Sequence, residues 1–464
     1  MPSSDQILTV EQVRAAETAL IAGGTSVEAL MQVAGRGAAD WVWRMAGRHK
    51  VTVLCGPGNN GGDGYVLAQA IRERGGNVVV VLATDPKTDA SRSARQAYGG
   101  QVLDRDADVH GEVLVDCLYG TGLTRPLSAD DAALLARLGA AHSRRVAIDL
   151  PSGVESDSGA LIGALPSYDL TIALGAWKFA HFLMPASATM GMLHLVPIGL
   201  APQAGAAHLI GRPRITAPAA DAHKYKRGLL AVVGGAMPGA AILAATAAQG
   251  AGAGYVRLFA PDARNAPADI VVYAGALSDL LADERNRAVL VGMGLGRDAA
   301  ARERLATALG SPAPMVVDAD ALMLLGPHLL AKRAAATICT PHEGELAALE
   351  RAFELDGKGP RPTRALALAR ASGMIVVAKG PDTVIGAPDG RLACARRASS
   401  WLSTAGTGDV LAGTIASRLA TGIEPFAAAC EGVWLHGEAA RLAGAAFTAG
   451  ELAGKVSVAL AGCI

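Results

Sequence analysis

No Cys-x-x-C pair occurs in this chain, and its six cysteines (Cys55, Cys117, Cys339, Cys394, Cys430 and Cys463) are scattered over 464 residues. Such scatter argues against a zinc site and a disulfide framework and suits a reducing compartment. Aromatic residues are only 4% of the chain, so its cores must be filled by the aliphatic share of a 51% hydrophobic composition. Neither sign of charge dominates, with 42 basic against 42 acidic side chains. There is no basic stripe for nucleic acid and no basic amphipathic arm for an anionic membrane. No apolar run is long enough to span a bilayer, and the opening Met1-Pro2-Ser3-Ser4-Asp5-Gln6 lacks the character of a signal peptide. A cytoplasmic protein with neither nucleic-acid nor membrane partners is expected.

Glycine, by contrast, is abundant at 56 residues, as an α/β protein with many tight strand–helix turns requires. Helical patterning covers 8–48, and strands are expected at 51–55, 78–82, 113–117, 146–150 and 170–174, with a helix from Tyr65 to Arg74. Periodicity lapses between about 200 and 222, then strands resume at 229–233 and 255–259 and near 289–291, 314–318, 336–340, 374–378 and 383–387. Alternation of this kind predicts two α/β domains with doubly wound parallel sheets, 1–210 and 211–464. Ligands in such sheets bind beyond the carboxyl ends of the strands.

The stretch Ser403-Thr404-Ala405-Gly406-Thr407-Gly408-Asp409 precedes an apolar small-residue run. It reads as a glycine turn opening a helix, where backbone N–H groups and the helix dipole form an anion hole. Asp409 stands at its mouth, either as a helix-start carboxylate or as a general base. No Lys-Ser/Thr follows the glycines, so this is not a Walker A loop.

In the first half, Gly58-Asn59-Asn60-Gly61-Gly62-Asp63-Gly64 lies between a strand and a helix and reads as a ligand-approaching loop. Asp116-Cys117-Leu118-Tyr119-Gly120-Thr121-Gly122-Leu123-Thr124-Arg125 and Asp149-Leu150-Pro151-Ser152-Gly153 end two further strands. Acids and hydroxyls gathered there suit a hard cation, although each alone would pass for a helix N-cap. Together these motifs resemble the NAD(P)H-hydrate epimerases over most of 8–200, which implies a Rossmann-like three-layer sandwich. The resemblance implies hydrated-dinucleotide contacts at Asn59, Asn60, Gly61, Gly62, Asp63, Gly120, Thr121, Gly122, Leu123, Thr124, Arg125 and Asp149. It also implies potassium ligands at Asn60, Asp116 and Ser152, and proton handling by Asp149 as C6 of the hydrated nicotinamide inverts. Lys178 is read as an exposed lysine, at most an accessory.

In the second half, Asp318-Ala319-Asp320, Thr340-Pro341-His342-Glu343-Gly344-Glu345 and Ala378-Lys379-Gly380-Pro381-Asp382-Thr383 end successive strands ahead of the Gly406–Gly408 turn. Acids, a histidine and a lysine at consecutive strand ends describe phosphoryl transfer by positioning and charge stabilisation. With His223-Lys224 and Gly292-Met293-Gly294-Leu295-Gly296, they resemble the ribokinase-like, ADP-dependent NAD(P)H-hydrate dehydratases over about 213–460. Two departures stand out: Tyr225-Lys226-Arg227 delay the glycine after His223-Lys224, and Met293 replaces a usual proline. The resemblance implies hydrate contacts at Ala240, Gly294, His342 and Asp409. It implies nucleotide contacts at Lys379, Gly380, Pro381, Asp382, Thr383, Gly406, Thr407 and Gly408, with ADP and Mg²⁺ bound and Asp409 deprotonating the C6 hydroxyl.

The fused order implies metabolite repair: epimerisation of hydrated NADH or NADPH, then ADP-driven dehydration of the S form, by a homo-oligomer. Two other readings remain open at this point. One is a kinase for a vitamin-precursor alcohol; the other is a dinucleotide-sensing module with a decayed site.

Overall fold

The structure is a computed structural model that describes residues 5–464. The chain forms two units, the first ending at His208 and the second running Leu209–Ile464. In chain order the first contains β1 (Gln6–Leu8), α1 (Val10–Ala22), α2 (Val27–Ala46), β2 (Val51–Cys55), α3 (Asn59–Glu73), β3 (Val78–Leu82), α4 (Asp89–Ala97) and β4 (Val102–Asp104). It continues with β5 (Gly111–Cys117), α5 (Ala129–Ala140), β6 (His142–Ile148), β7 (Leu170–Leu174), β8 (Trp177–Lys178) and β9 (Met192–Val196), and β10 (Ala207–Leu209) falls at the boundary with the second.

The main sheet runs β4-β3-β2-β5-β6-β7-β9 with every neighbouring pair parallel. Strand β3 is a continuous apolar run, Val-Val-Val-Val-Leu, because both faces are covered. Val51, Val53 and Cys55 pack with residues of α2, α3 and α4 on one face. Leu54, Val79, Val81 and Leu114 pack with Leu134, Leu135 and Leu138 of α5 on the other. This is a three-layer sandwich. Strand order reverses between β2 and β5, which puts the ligand crevice at their carboxyl ends. Beside it, β1 pairs antiparallel with β10 and parallel with β8, in the register Leu8↔Lys178.

The second unit begins with β11 (Leu229–Val233), α6 (Pro238–Gly250), β12 (Tyr255–Phe259), β13 (Val271–Val272), α7 (Leu277–Ala282), β14 (Asn286–Val291), α8 (Ala299–Leu309) and β15 (Met315–Val317). Next come α9 (Asp320–Leu324), α10 (Pro327–Leu330), β16 (Thr337–Cys339), α11 (Glu343–Ala352), α12 (Arg361–Ser372), β17 (Ile375–Ala378), β18 (Val384–Gly386) and β19 (Leu392–Cys394). Helices α13 (Thr407–Ala420), α14 (Pro425–Ala443) and α15 (Ala449–Ala461) complete it. Strands run β13-β12-β11-β14-β15-β16-β17-β18-β19, parallel as far as β17 and antiparallel beyond. The order reverses between β11 and β14, again defining a crevice. Alanines of α6 and residues of α13 and α14 form the core over this sheet.

Three expectations need correction. The helix expected from Tyr65 begins at Asn59, so the glycine-rich stretch is the first turns of α3 rather than a loop. Tertiary packing overrides the glycines' poor helix propensity: a Cβ at Gly61 would lie 2.0 Å from the Gly56 carbonyl oxygen, and one at Gly64 2.8 Å from the Cys55 sulfur. The strand expected over 146–150 stops at Ile148, because Asp149 takes a left-handed φ of 67°. Lys178 is not exposed; it is buried at 1% exposure.

Candidate active sites

In the first unit three strand ends converge. The β2 end opens into α3, whose early residue Asn60 faces the loop after β5: a Cβ on Gly120 would sit 3.1 Å from both Asn60 Cγ and Asp149 Oδ2. Asp149 follows β6, and Thr121 donates to its Oδ2 through both backbone N–H (2.9 Å) and Oγ1 (2.5 Å). Lys178 Nζ reaches Asp149 Oδ1 at 2.5 Å and the Leu174 carbonyl at 2.7 Å. Burial alone would raise the Asp149 pKa, but the Lys178 ammonium and the Lys178 and Thr121 hydrogen bonds outweigh it and hold the carboxyl below its ordinary value. Asp149 is therefore ionised at neutral pH.

Asp63 is a different kind of carboxyl. It lies one helical turn beyond Asn60 on α3 and is pushed well up, first by burial and then by the negative charges of Asp149 and Glu17. Glu17 of α1 is also raised by burial, and it feels both Lys178 and Asp149. Neither Glu17 nor the Lys178 ion pair was legible as part of the site; register pairing of β1 with β8 is what brings α1 and Lys178 together.

Asp116 is fully buried, and its partners are all neutral donors: Ser152 Oγ at 2.7 Å, Ser152 N–H at 3.0 Å, Leu118 N–H at 3.1 Å and Tyr168 hydroxyl at 2.5 Å. The Asn60 carboxamide oxygen and nitrogen are buried without a hydrogen-bond partner among the described residues. Other expected contacts lie further out. Asn59 Oδ1 accepts from Thr88 Oγ1 at 2.7 Å, Leu123 is half-buried, and Thr124 and Arg125 are exposed. Gly61 and Gly62 face protein, against Gly56 and Met31, and Gly122 takes a φ of 101° beside the Arg14 guanidinium.

In the second unit, Lys379 at the β17 end donates to Asp318 Oδ1 at the β15 end over 2.7 Å and lies 3.9 Å from Glu345. Burial would lower the Lys379 pKa, but Asp318 and Glu345 outweigh it and raise it. A Cβ on Gly408 would meet Lys379 Nζ at 3.5 Å, so the lysine sits at the start of α13. Gly406, at φ 91°, caps that helix, and Asp409 lies in its first turn. Burial, then the negative charge of Asp318, raises the Asp409 pKa to about 7, with Lys379 opposing. That value suits a general base near neutral pH.

His342 caps α11, its Nδ1 accepting from Gly344 and Glu345 N–H groups at 3.0 and 3.3 Å, while Glu345 Oε2 accepts from the His342 N–H at 2.8 Å. The His342 side chain is 61% exposed, with Nε2 3.4 Å from Glu345 Oε1. Gly294 (φ 58°) accepts from the Met237 N–H at 2.9 Å, joining the loop after β14 to the start of α6, where Ala240 is half-buried. Asp382 is buried and paired with Arg361 at 3.3 Å, and Gly380 N–H donates to Thr383 Oγ1 at 3.2 Å. Pro381 is exposed. Thr407 Oγ1 bonds back to the Leu402 and Thr404 carbonyls, and buried His436 donates to the Thr407 carbonyl at 2.9 Å.

Comparison with known proteins gives matches on both units. A family model described as NAD(P)H-hydrate dehydratase matches 230–461, and one described as YjeF-related protein N-terminus matches 27–180. The bifunctional NAD(P)H-hydrate repair enzyme Nnr of Salinibacter ruber is 34% identical, covering 90% of this chain and 88% of that protein. Its namesake from Mycobacterium tuberculosis H37Rv is also 34% identical, covering 89% of each. The crystal structure of the ADP/ATP-dependent NAD(P)H-hydrate dehydratase from Bacillus subtilis, co-crystallised with ATP/Mg²⁺, is 26% identical, covering 54% of this chain and 95% of that one, with a TM-score of 0.48.

Proposed function

This chain belongs to the family of bifunctional NAD(P)H-hydrate repair enzymes, and on that premise we propose which of its residues perform each half of the repair. The enzyme epimerises hydrated NAD(P)H and dehydrates it back to NAD(P)H. We assign epimerisation to 1–210 and dehydration to 211–464. The observation that carries the assignment is a pair of carboxyls at separate sheet crevices, Asp149 held below its ordinary pKa and Asp409 raised to about 7.

In the first site Asp149, anionic beside Lys178, takes and returns a proton as C6 of the hydrated ring inverts. The helix start at Asn59–Asp63 and the turn Gly120–Arg125 hold the dinucleotide. Asn60, Asp116 and Ser152 would hold K⁺. The fit rests on Asp116, a buried carboxylate with only neutral partners, and on the unpartnered Asn60 carboxamide. The ion would supply charge neutralisation and substrate anchorage.

In the second site Asp409 accepts the proton of the C6 hydroxyl as its oxygen attacks the terminal phosphorus of ADP, giving AMP and a phosphate ester. Lys379 and the N–H groups at Gly406–Gly408 stabilise the transferring charge, while Gly380, Pro381, Asp382 and Thr383 contact the nucleotide. Breakage of the C6–O bond releases phosphate, and loss of the C5 proton restores the ring double bond. Ala240, Gly294 and His342 place the hydrated ring. Mg²⁺ would arrive on the nucleotide phosphates and add charge neutralisation, with Asp318 and Glu345 the nearby carboxylates. ADP as donor, a homo-oligomer and a cytoplasmic setting are part of the same proposal; six free cysteines support the last.

Two single substitutions test the assignment. Asp409→Ala should abolish dehydration, a loss on the order of 10²–10⁴-fold, and leave epimerisation intact; Asp149→Ala should do the reverse. Loss of both activities in either folded variant contradicts two independent sites.

A further inference from the structure

Asp149 and Lys178 belong to different segments, yet their charged atoms meet at 2.5 Å. Asp149 holds a backbone conformation that non-glycine residues rarely adopt, at φ 67°. Such a turn persists only where its surroundings fix it. Its N–H donates to the Ile172 carbonyl at 2.7 Å, and its own carbonyl oxygen lies 2.8 Å from His181 Nε2.

His181 closes the other end as well. Its Nδ1 is 2.9 Å from the Lys178 N–H and 3.2 Å from the Lys178 carbonyl. Nε2 faces a carbonyl, so it must carry the proton, and in the neutral ring Nδ1 is then the acceptor for the Lys178 N–H. The ring is buried at 1% exposure, with Trp177 edge-on at 5.5 Å and Phe182 packed alongside. Burial and the neighbouring Lys178 ammonium lower its pKa to about 4, so the ring stays neutral and this tautomer is fixed. One imidazole thus ties the main chain at Asp149 to the main chain at Lys178.

We propose that His181 is the positioning residue of the epimerisation site, setting the distance between the Asp149 carboxylate and the Lys178 ammonium without touching substrate. The proposal rests on the reading of Asp149, kept anionic by Lys178, as the proton-handling group.

The test uses the full chain carrying His181→Gln, His181→Asn or His181→Phe, with kcat and KM for epimerisation measured on a purified hydrate epimer. Thermal melting and dehydration of the S form serve as controls. A glutamine Nε2 can still donate to the Asp149 carbonyl, whereas asparagine is too short and phenylalanine has no donor. Asn and Phe should lower the epimerisation kcat about 30- to 100-fold, as misplacement near 1 Å does, with KM within about threefold. Gln should stay within about fivefold of wild type, the Asp149 bond being the one it keeps. In a Lys178→Met background, His181→Asn should cost little more, because the ring acts through the pair. Wild-type kcat in the Asn variant, equal losses in Gln and Asn, or a loss that multiplies fully onto Lys178→Met overturns the proposal. If Phe fails to fold, the Gln and Asn pair still decides. A wild-type chain that dehydrates the S form but does not epimerise would remove the epimerase reading itself, an outcome distinct from an insensitive His181.

Discussion

Asp149 and Asp409 are chemically identical side chains placed in opposite electrostatic settings. Lys178 keeps one ionised, while burial and Asp318 push the other up to about 7. With Asp409 as the proposed base, dehydration should fall as pH drops through 7, about tenfold between pH 8 and pH 6. Epimerisation should carry no such acidic limb from Asp149 over that range. Rate profiles of the two reactions in one preparation check this, and parallel limbs would contradict it. Lys178→Met leaves a buried carboxylate without its cation, a change that costs on the order of 3–5 kcal/mol when a buried pair is broken. Epimerisation should fall sharply but stay measurable at neutral pH, with a drop in the melting temperature of the first unit and no change in dehydration. None of this was legible locally: Lys178 looks like a surface lysine because the carboxylate that buries it lies 29 residues upstream. Asp409, flanked by its own anion hole in sequence, was legible.

At the scale of elements, buried parallel strands announced themselves. Val78–Leu82 and Leu229–Val233 are uninterrupted apolar runs, Leu170–Leu174 and Tyr255–Phe259 are broken only by Thr171 and Arg257, and all four stand where the pattern places them. Short strands such as β8 and β10 are defined by distant partners and leave no periodic trace. The sequence pattern foreshortens helix α3 because Gly61, Gly62 and Gly64 in its first turns, with Gly58 just before it, mimic a loop. Their purpose is partly steric. Gly61→Ala would press a methyl to 2.0 Å from the Gly56 carbonyl, against backbone that has no rotamer to yield. It should destabilise the first unit by roughly 1–3 kcal/mol or more and depress epimerisation. Gly58→Ala, whose Cβ would meet nothing within 4 Å, should melt near wild type. Equal melting of the two variants would contradict the packing account.

For the whole molecule, the proposed assignment puts each reaction at its own sheet crevice, so a hydrate released by one chain can be taken up by another. Asp149→Ala and Asp409→Ala chains, mixed in one tube, should therefore repair both epimers although neither does so alone. The measurement that bears most directly on the whole account follows the near-ultraviolet absorbance of reduced nicotinamide, starting from a mixture of R and S hydrates with Mg²⁺ and ADP. Complete recovery by the wild-type chain is the predicted result. Recovery that stops at the S share would contradict a working epimerase unit, and no recovery with either ADP or ATP would contradict the repair function.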